Sequence, residues 1–314
     1  MKNFFLLFLL LPLTTVLNTH GQNWTIAIHG GAGNITRENT KDSLLYKQAL
    51  DSALTIGCSI LQSGGTSLDA VEQVIIFLED HPLFNAGRGA VLTNKGEAEL
   101  DASVMEGKSL KAGAVAGVKT IRHPISAARA VMEKSEHVFL AGAGAQEFAA
   151  ENGLETVENS FFITDSRKKM LEKYQKKPGG TVGCVAHDMQ GNLAAGTSTG
   201  GMMNKKYGRI GDAPVIGAGT YASNSSCAVS CTGHGEYFIR YAVAFNIHAL
   251  VSYLNMDISA AASKVFDEQL TPAGGTGGVI IADKKGNYCF YFNTSGMFRA
   301  AATSTGKKEV CLFR

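Results

Sequence analysis

Charge is scarce in this chain. Asp, Glu, Lys and Arg make up 18% of its 314 residues, and 29 basic residues against 27 acidic ones leave a net charge of +2. So even a balance provides no concentrated basic face, so nucleic acid is excluded as a partner. No C-x-x-C pair and no Walker lysine loop occurs, which removes the simplest zinc and nucleotide readings. Cys58, Cys184, Cys227, Cys231, Cys289 and Cys311 are irregularly spaced, and a chain of this length needs no disulfide staples. Hydrophobic residues, by contrast, reach 45%, enough for a sizeable core and too many for a disordered chain. Glycine is in excess: 36 residues, roughly 11% against an average near 7%. Tight turns and close backbone approaches follow from that excess.

Lys2 opens a mostly apolar run from Phe4 to Leu17. The run is short for a membrane span of ~20 residues and suits the core of a signal peptide. Residues 1–21 are therefore read as a leader cleaved near Gly21, with a membrane anchor as the competing reading. Export places the mature protein in a periplasm or outside the cell, with no membrane contact once the leader is gone.

The remaining chain, 22–314, is read as one domain. Trp24–Ile28 is a strand entering a His29-Gly30-Gly31-Ala32-Gly33 turn. Helical periodicity marks 41–62, through Leu44, Leu45, Ala49, Ala53 and Leu54, and 67–80, with Ser67 as its cap. Short apolar runs at 101–105 and 112–118 precede a helix at about 125–134. Gly142-Ala143-Gly144 is assigned to helix packing. Residues 151–178 turn polar, with Arg167, Lys168, Lys169, Lys173, Lys176 and Lys177, and are read as an exposed connector. Two hairpins are expected, 182–187/192–197 and 278–283/287–293, turning at Asp188–Gly191 and Asp283–Gly286. Helices at the ends with strands between them make this an α+β domain.

Several glycine-rich motifs compete for the chemistry. Gly196-Thr197-Ser198-Thr199-Gly200 is a literal G-x-S-x-G. It would make Ser198 a nucleophile, with Asp212, His234 and a His29-Gly30-Gly31 oxyanion loop, but two glycines stand where the required helix should start. Gly180-Thr181-Val182-Gly183 lies where the polar connector meets a buried strand. If the Gly180–Thr181 bond were cut, the new α-amine of Thr181, with a pKa near ~7.7, would be a base beside its own hydroxyl. A plain strand start is the bland alternative. Arg209 and Asp212, on a glycine-flanked loop, either hold the carboxylate and ammonium of an amino acid or pair with each other. Thr232 and the Gly233 N–H are candidates for an oxyanion hole.

Together, His29–Gly33, Phe84-Asn85-Ala86-Gly87, Leu100-Asp101-Ala102-Ser103, Gly180–Gly183, Thr197–Gly201, Gly208–Asp212 and Thr232–Glu236 resemble the plant-type L-asparaginase/isoaspartyl peptidase family of N-terminal nucleophile hydrolases. The resemblance runs from about Trp24 to Phe298. It implies a four-layer αββα sandwich, self-cleaved into a 22–180 α subunit and a 181–314 β subunit that assemble as a dimer of cleaved α/β units. The implied activity is hydrolysis of L-asparagine and of isoaspartyl dipeptides through a threonine acyl-enzyme. Carried over by motif, Thr181 is the nucleophile, Thr199 orients it and Asn85 supports it. Arg209, Asp212 and Gly235 bind substrate together with Thr232 and Gly233. The implied cofactor requirement is nil, apart from a structural sodium ion on the carbonyls of Leu78, Glu79, His81, Phe84, Ala86 and Arg88.

The chain departs from the family pattern at His234, where some bacterial members have Thr, and in its leader. Glycosylasparaginase is the runner-up, although Gly180 stands where that relative has Asp. More distant alternatives are the Ser198 hydrolase and an exported amino-acid-binding protein without catalysis.

Overall fold

Segments in which small and branched residues alternate become strands, and those with a 3.6-residue apolar stripe become helices. The computed structural model describes residues 23–173 and 180–314. The leader with Gly21, and Lys176 and Lys177 of the polar connector, lie outside the described residues. In chain order the elements are β1 (Thr25–Gly33), α1 (Ser43–Gln62), α2 (Ser67–Asp80), β2 (Leu100–Glu106), β3 (Ala112–Val118), α3 (Pro124–Lys134), β4 (Phe139–Ala141), α4 (Gly142–Glu151) and α5 (Asp165–Lys173). They continue as β5 (Val182–His187), β6 (Leu193–Thr199), β7 (Thr220–Ala222), β8 (Cys227–Gly233), α6 (Gly235–Arg240), α7 (Val243–Leu254), α8 (Ile258–Val265), β9 (Gly277–Asp283), β10 (Tyr288–Phe292), β11 (Gly296–Thr303) and β12 (Lys308–Phe313).

The strands form two sheets of mixed α/β architecture. One has eight strands in the order β12-β11-β1-β5-β6-β2-β3-β4, the other four in the order β10-β9-β8-β7. All pairings are antiparallel except β3 with β4. Helices α1, α2 and α3 pack on the large sheet and α7 and α8 on the small one, while β1, β5 and β6 meet β8 and β9. Between α1–α3 and the large sheet lies a core of large aliphatics, among them Ile26, Leu54, Val74, Ile75 and Leu78, each contributing roughly 1.5–3 kcal/mol by burial. A second such core, with Val229, Ile247 and Phe266, lies under α7 and α8. The space between the sheets is filled with smaller groups: Ala27, Val185, Ala195, Ala228, Ala282 and Ala301 around Ile280 and Met297.

The two expected hairpins form as β5/β6 and β9/β10. In both, the turn aspartate folds back on its own loop. Asp188 Oδ1 accepts from the Gln190 and Asn192 N–H groups, and Asp283 Oδ1 from those of Lys285 and Asn287. The span of α2 matches the expected 67–80, but its cap is Thr66, whose extended backbone lets its side chain accept from the Asp69 N–H. Its end at Asp80 is set by Pro82, which disfavours helix at His81.

Four further local expectations are corrected. Leu44 and Leu45 are exposed, because Tyr46 occupies the inward phase of α1 and stacks on Phe298 with centroids 4.1 Å apart. The His29–Gly33 segment stays in strand, with a bulge between His29 and Gly31. Gly142 and Gly144 have open space where a Cβ would stand, so helix packing does not require them; Gly142 instead has φ +54°. The polar connector contains a short 3-10 turn and α5. Within it, Phe162 is buried, and Arg167 is 6% exposed and donates from Nε to the Gly89 carbonyl at 2.6 Å. Charge alone marked Arg167 as solvated, yet it anchors the loop that carries Asn85.

Candidate active site

Alternation along the strands decides which side chains enter the space between the sheets. On β1, Ile26 and Ile28 face the helices, while His29 turns toward the small sheet. On β5 and the residue before it, Val182 and Cys184 face the helices, leaving Thr181 and Gly183 on the inner side. Thr197 and Thr199 of β6 and Ser230 and Thr232 of β8 share that inner space. A strand pair rich in hydroxyls at every second position thereby lines one end of an otherwise apolar layer.

Thr181 is buried, and its Oγ1 donates to Thr199 Oγ1 at 3.1 Å. Thr199 Oγ1 also accepts the Gly201 N–H at 2.9 Å. Asn85 reaches this junction from the other side: its Nδ2 donates to the Gly201 carbonyl at 2.8 Å, while its Oδ1 accepts the Val91 N–H. Thus the expected partners Thr181, Thr199 and Asn85 come together, with Asn85 acting through the Gly201 peptide. Gly180 packs backbone to backbone on Gly31; a Cβ on Gly180 would lie 2.1 Å from the Gly31 Cα. Only glycine at both positions permits this approach.

Arg209 and Asp212 are both at the site but do not pair with each other. Arg209 makes a two-pronged ion pair with Glu236, Nε to Oε1 at 2.9 Å and Nη2 to Oε2 at 3.0 Å. The guanidinium holds the Glu236 carboxyl below the usual range. Asp212 is 4% exposed and its Oδ2 has no hydrogen-bond partner among the described residues. Burial, partly offset by a hydrogen bond with its own backbone and by Arg209, pushes its pKa up to about 7. Thr232 Oγ1 is likewise buried without a partner. A buried polar group left without a partner is costly unless something completes it. Gly235 closes the cradle: a Cβ there would stand 2.8 Å from both Arg209 Nη2 and Asp212 Oδ1. Gly201 is flanked by cations, since its Cβ would lie 3.1 Å from Lys205 Nζ and 3.5 Å from Arg209 Nη1. Each of these cations already faces a carboxylate, Lys205 that of Asp101 at 3.9 Å and Arg209 that of Glu236. Gly233, at φ +151°, pairs with Gly277 at the end of β8.

Ser198 does not fit the alternative. It is fully buried on the helix-facing side of β6 and donates to Glu79 Oε1 at 2.6 Å, with no helix following the strand. His29, assigned to an oxyanion loop in that reading, bonds Thr181 and Ser230 instead. Ser230, Thr197 and Glu236 were not singled out from the sequence as site residues. The spacing of Thr197/Thr199 and Ser230/Thr232, two apart on strands, was the signal available for the first two.

In the 78–89 segment the chain passes close to its own carbonyl oxygens. A Cβ on Gly87 would stand 2.3 Å from the Glu79 carbonyl oxygen, and one on Gly89 2.5 Å from that of Pro82 and 2.9 Å from that of Phe84. Among the described residues, no group of three or more His, Cys, Asp or Glu gathers to hold a metal ion. All six cysteines are free, and no described helix is long and apolar enough to cross a membrane.

A family model described as Asparaginase matches residues 22–312. The isoaspartyl peptidase of Salmonella typhimurium is 48% identical over 293 residues, covering 88% of this chain and 94% of the relative. That of Escherichia coli is 47% identical, with 88% and 91% covered. The human isoaspartyl peptidase/L-asparaginase is 40% identical, with 89% and 93% covered.

Proposed function

The chain belongs to the asparaginase family, and on that premise we propose that it is a self-cleaving amidohydrolase acting on L-asparagine and isoaspartyl dipeptides through Thr181. The observation that carries this reading is the buried Thr181 hydroxyl, bonded to Thr199 immediately after a tightly packed Gly180 and sharing its inter-sheet layer with the orphaned Thr232 Oγ1. In activation, Thr181 Oγ1 attacks the Gly180 carbonyl carbon and the peptide nitrogen leaves as the amine of Thr181. The ester so formed is hydrolysed by water, freeing the hydroxyl and a Gly180 carboxylate.

In turnover, that amine takes the hydroxyl proton as Oγ1 attacks the substrate's side-chain carbonyl. The Thr232 hydroxyl and Gly233 N–H receive the developing oxyanion. Ammonia, or the amine of the dipeptide's second residue, departs with the proton. Water then hydrolyses the aspartyl ester and releases aspartate. Arg209, held by Glu236, takes the α-carboxylate, and ionised Asp212 takes the α-ammonium. Gly235 gives them room.

Helices outside two facing sheets support the four-layer αββα reading, with cleavage giving the 22–180 and 181–314 subunits of a dimer. The carbonyls of Leu78, Glu79, His81, Phe84, Ala86 and Arg88 are assigned in this reading to a structural sodium ion, a hard cation that takes oxygen donors and would brace the loop bearing Asn85. The leader supports export. Gly180 before the nucleophile and relatives named isoaspartyl peptidase favour this substrate class over glycosylated asparagine.

The test is a denaturing gel, an intact mass and an ammonia assay. The wild type gives two polypeptides, the smaller beginning at Thr181, and releases ammonia from asparagine. Thr181→Ala gives one uncut chain without activity. An uncut wild-type chain with full activity overturns the reading, as does aspartate binding with no ammonia release.

A further inference from the structure

His29 is a buried titratable group that the mechanism above does not use. Its Nδ1 lies 2.9 Å from the Thr181 carbonyl oxygen and its Nε2 3.0 Å from Ser230 Oγ. A chain of hydroxyls continues from there across the layer, from Ser230 Oγ to Thr197 Oγ1 at 2.7 Å and from Thr197 Oγ1 to Thr220 Oγ1 at 2.6 Å. Donor accounting gives this chain one direction. A carbonyl oxygen only accepts, so His29 Nδ1 carries the hydrogen. Burial, only partly offset by the Thr181 carbonyl, pushes the imidazole pKa down to about 3, so the ring is neutral and Nε2 is bare. Ser230 must then donate to Nε2, Thr197 to Ser230, and Thr220 to Thr197, each hydroxyl having a single proton.

The Thr181 carbonyl needs such a holder because the ladders stop short of it. The β1–β5 pairing ends at His29 with Gly183, and the β5–β6 pairing at Val182 with Ser198. Once the Gly180–Thr181 bond is cut, the contact between Gly180 and Gly31 no longer holds residue 181. Gly183 leaves the space this arrangement requires: a Cβ there would lie 2.0 Å from Ser230 Oγ and 2.4 Å from His29 Nε2.

Resting on the function proposed for Thr181, we propose that His29 is a positioning residue: as the Nδ1–H tautomer, its ring held from the other side by the Ser230–Thr197–Thr220 chain, it holds the Thr181 carbonyl and so keeps the amine and hydroxyl of that residue aligned for attack. The group that touches substrate remains Thr181; His29 acts through it.

Three substitutions separate this role from simple packing. In His29→Asn the amide nitrogen falls near the place of Nδ1 and still reaches the carbonyl. His29→Gln puts its donor toward Ser230, and His29→Leu has none. With rates normalised to the cleaved fraction, Gln and Leu should lose about 10²-fold in kcat for asparagine, the scale of a small misplacement of reacting groups. Their KM should stay unchanged, since Arg209 and Asp212 are untouched, and Asn should recover most of the rate. Nitrogen-15 NMR of the histidine side chains in the wild type should show His29 as the Nδ1–H tautomer at neutral pH, and Ser230→Ala, which removes the donor to Nε2, should lower kcat about fivefold while the Nδ1–H form persists. An Nε2–H or charged His29 in the wild type overturns the proposal, whether or not the variants fold. So does His29→Leu with wild-type kcat, or a loss confined to KM. If Thr181→Ala abolishes activity while His29→Leu keeps it, the positioning role falls and the nucleophile stands; activity in Thr181→Ala removes the nucleophile itself.

Discussion

The outer layers and the layer between the sheets are built from the same strands with opposite contents. Outward, β1 and β5 present Ile26, Ile28, Val182 and Cys184 to helices α1 and α2, in a core of large aliphatics. Inward, the same strands present Ala27, His29, Gly183 and Val185, and the facing strands answer with Ala228, Ser230 and Thr232. The outer layers supply most of the burial energy. The inner layer gives up volume for hydroxyls, an imidazole and close backbone approaches, and the candidate chemistry is located there. Stability and activity should therefore respond separately to substitutions on the two sides of one strand.

The largest effect is expected outside. Leu54→Ala empties a fully buried site and should cost ~2–5 kcal/mol in denaturant unfolding, leaving kcat of the folded enzyme unchanged. Equal losses of rate and stability would erase the distinction between the layers. Inside, Gly183→Ala should lower kcat about 10²-fold through the clash with Ser230 and His29, with a stability cost of only ~1–3 kcal/mol.

The next contrast is in pH. His29 is neutral in the fold down to about 3 but titrates at 6.5 when unfolded. Between those values the unfolded chain binds more protons, so stability falls as pH drops from 6.5 toward 3. His29→Asn should flatten that slope in acid unfolding curves. Asp212 has the opposite sign: its pKa rises from 3.8 to about 7 in the fold, so its contribution to stability declines as pH rises through that window. A ligand ammonium favours the ionised form. Aspartate should thus bind more tightly as pH climbs toward about 7, by up to about tenfold per unit, and titration calorimetry of Asp212→Asn should show no such slope. Smallest of all, Lys264→Ala breaks an exposed pair between α8 and Glu268 in the turn that follows it and should shift stability by no more than ~0.5 kcal/mol.

Much of this contrast was legible in the chain. The stripe Leu68, Val71, Val74, Ile75 and Leu78 gave α2 its limits, because a long apolar period leaves one helical solution. Asp188 and Asp283 marked the hairpin turns through local hydrogen bonds that need nothing beyond their own loops. Arg167 was misread because its burial depends on Gly89, 78 residues away in sequence. Arg209 was weighed against Asp212, three residues on, whereas its partner is Glu236. His29 read as part of a turn, since nothing local tells a glycine-rich bulge within a strand from one that ends it.

The amino-acid order alone therefore settled the periods, the turns and which residue types the chemistry would use, for these depend on neighbours within a few positions. Folding settled which of the two strand faces met a helix and which met a second sheet. It also decided that the Thr181 carbonyl would find an imidazole 152 residues distant and that Asp212 Oδ2 and Thr232 Oγ1 would be buried without a hydrogen-bond partner among the described residues. Those outcomes arise from contacts between remote strands, and one strand's alternation is compatible with either face turning inward.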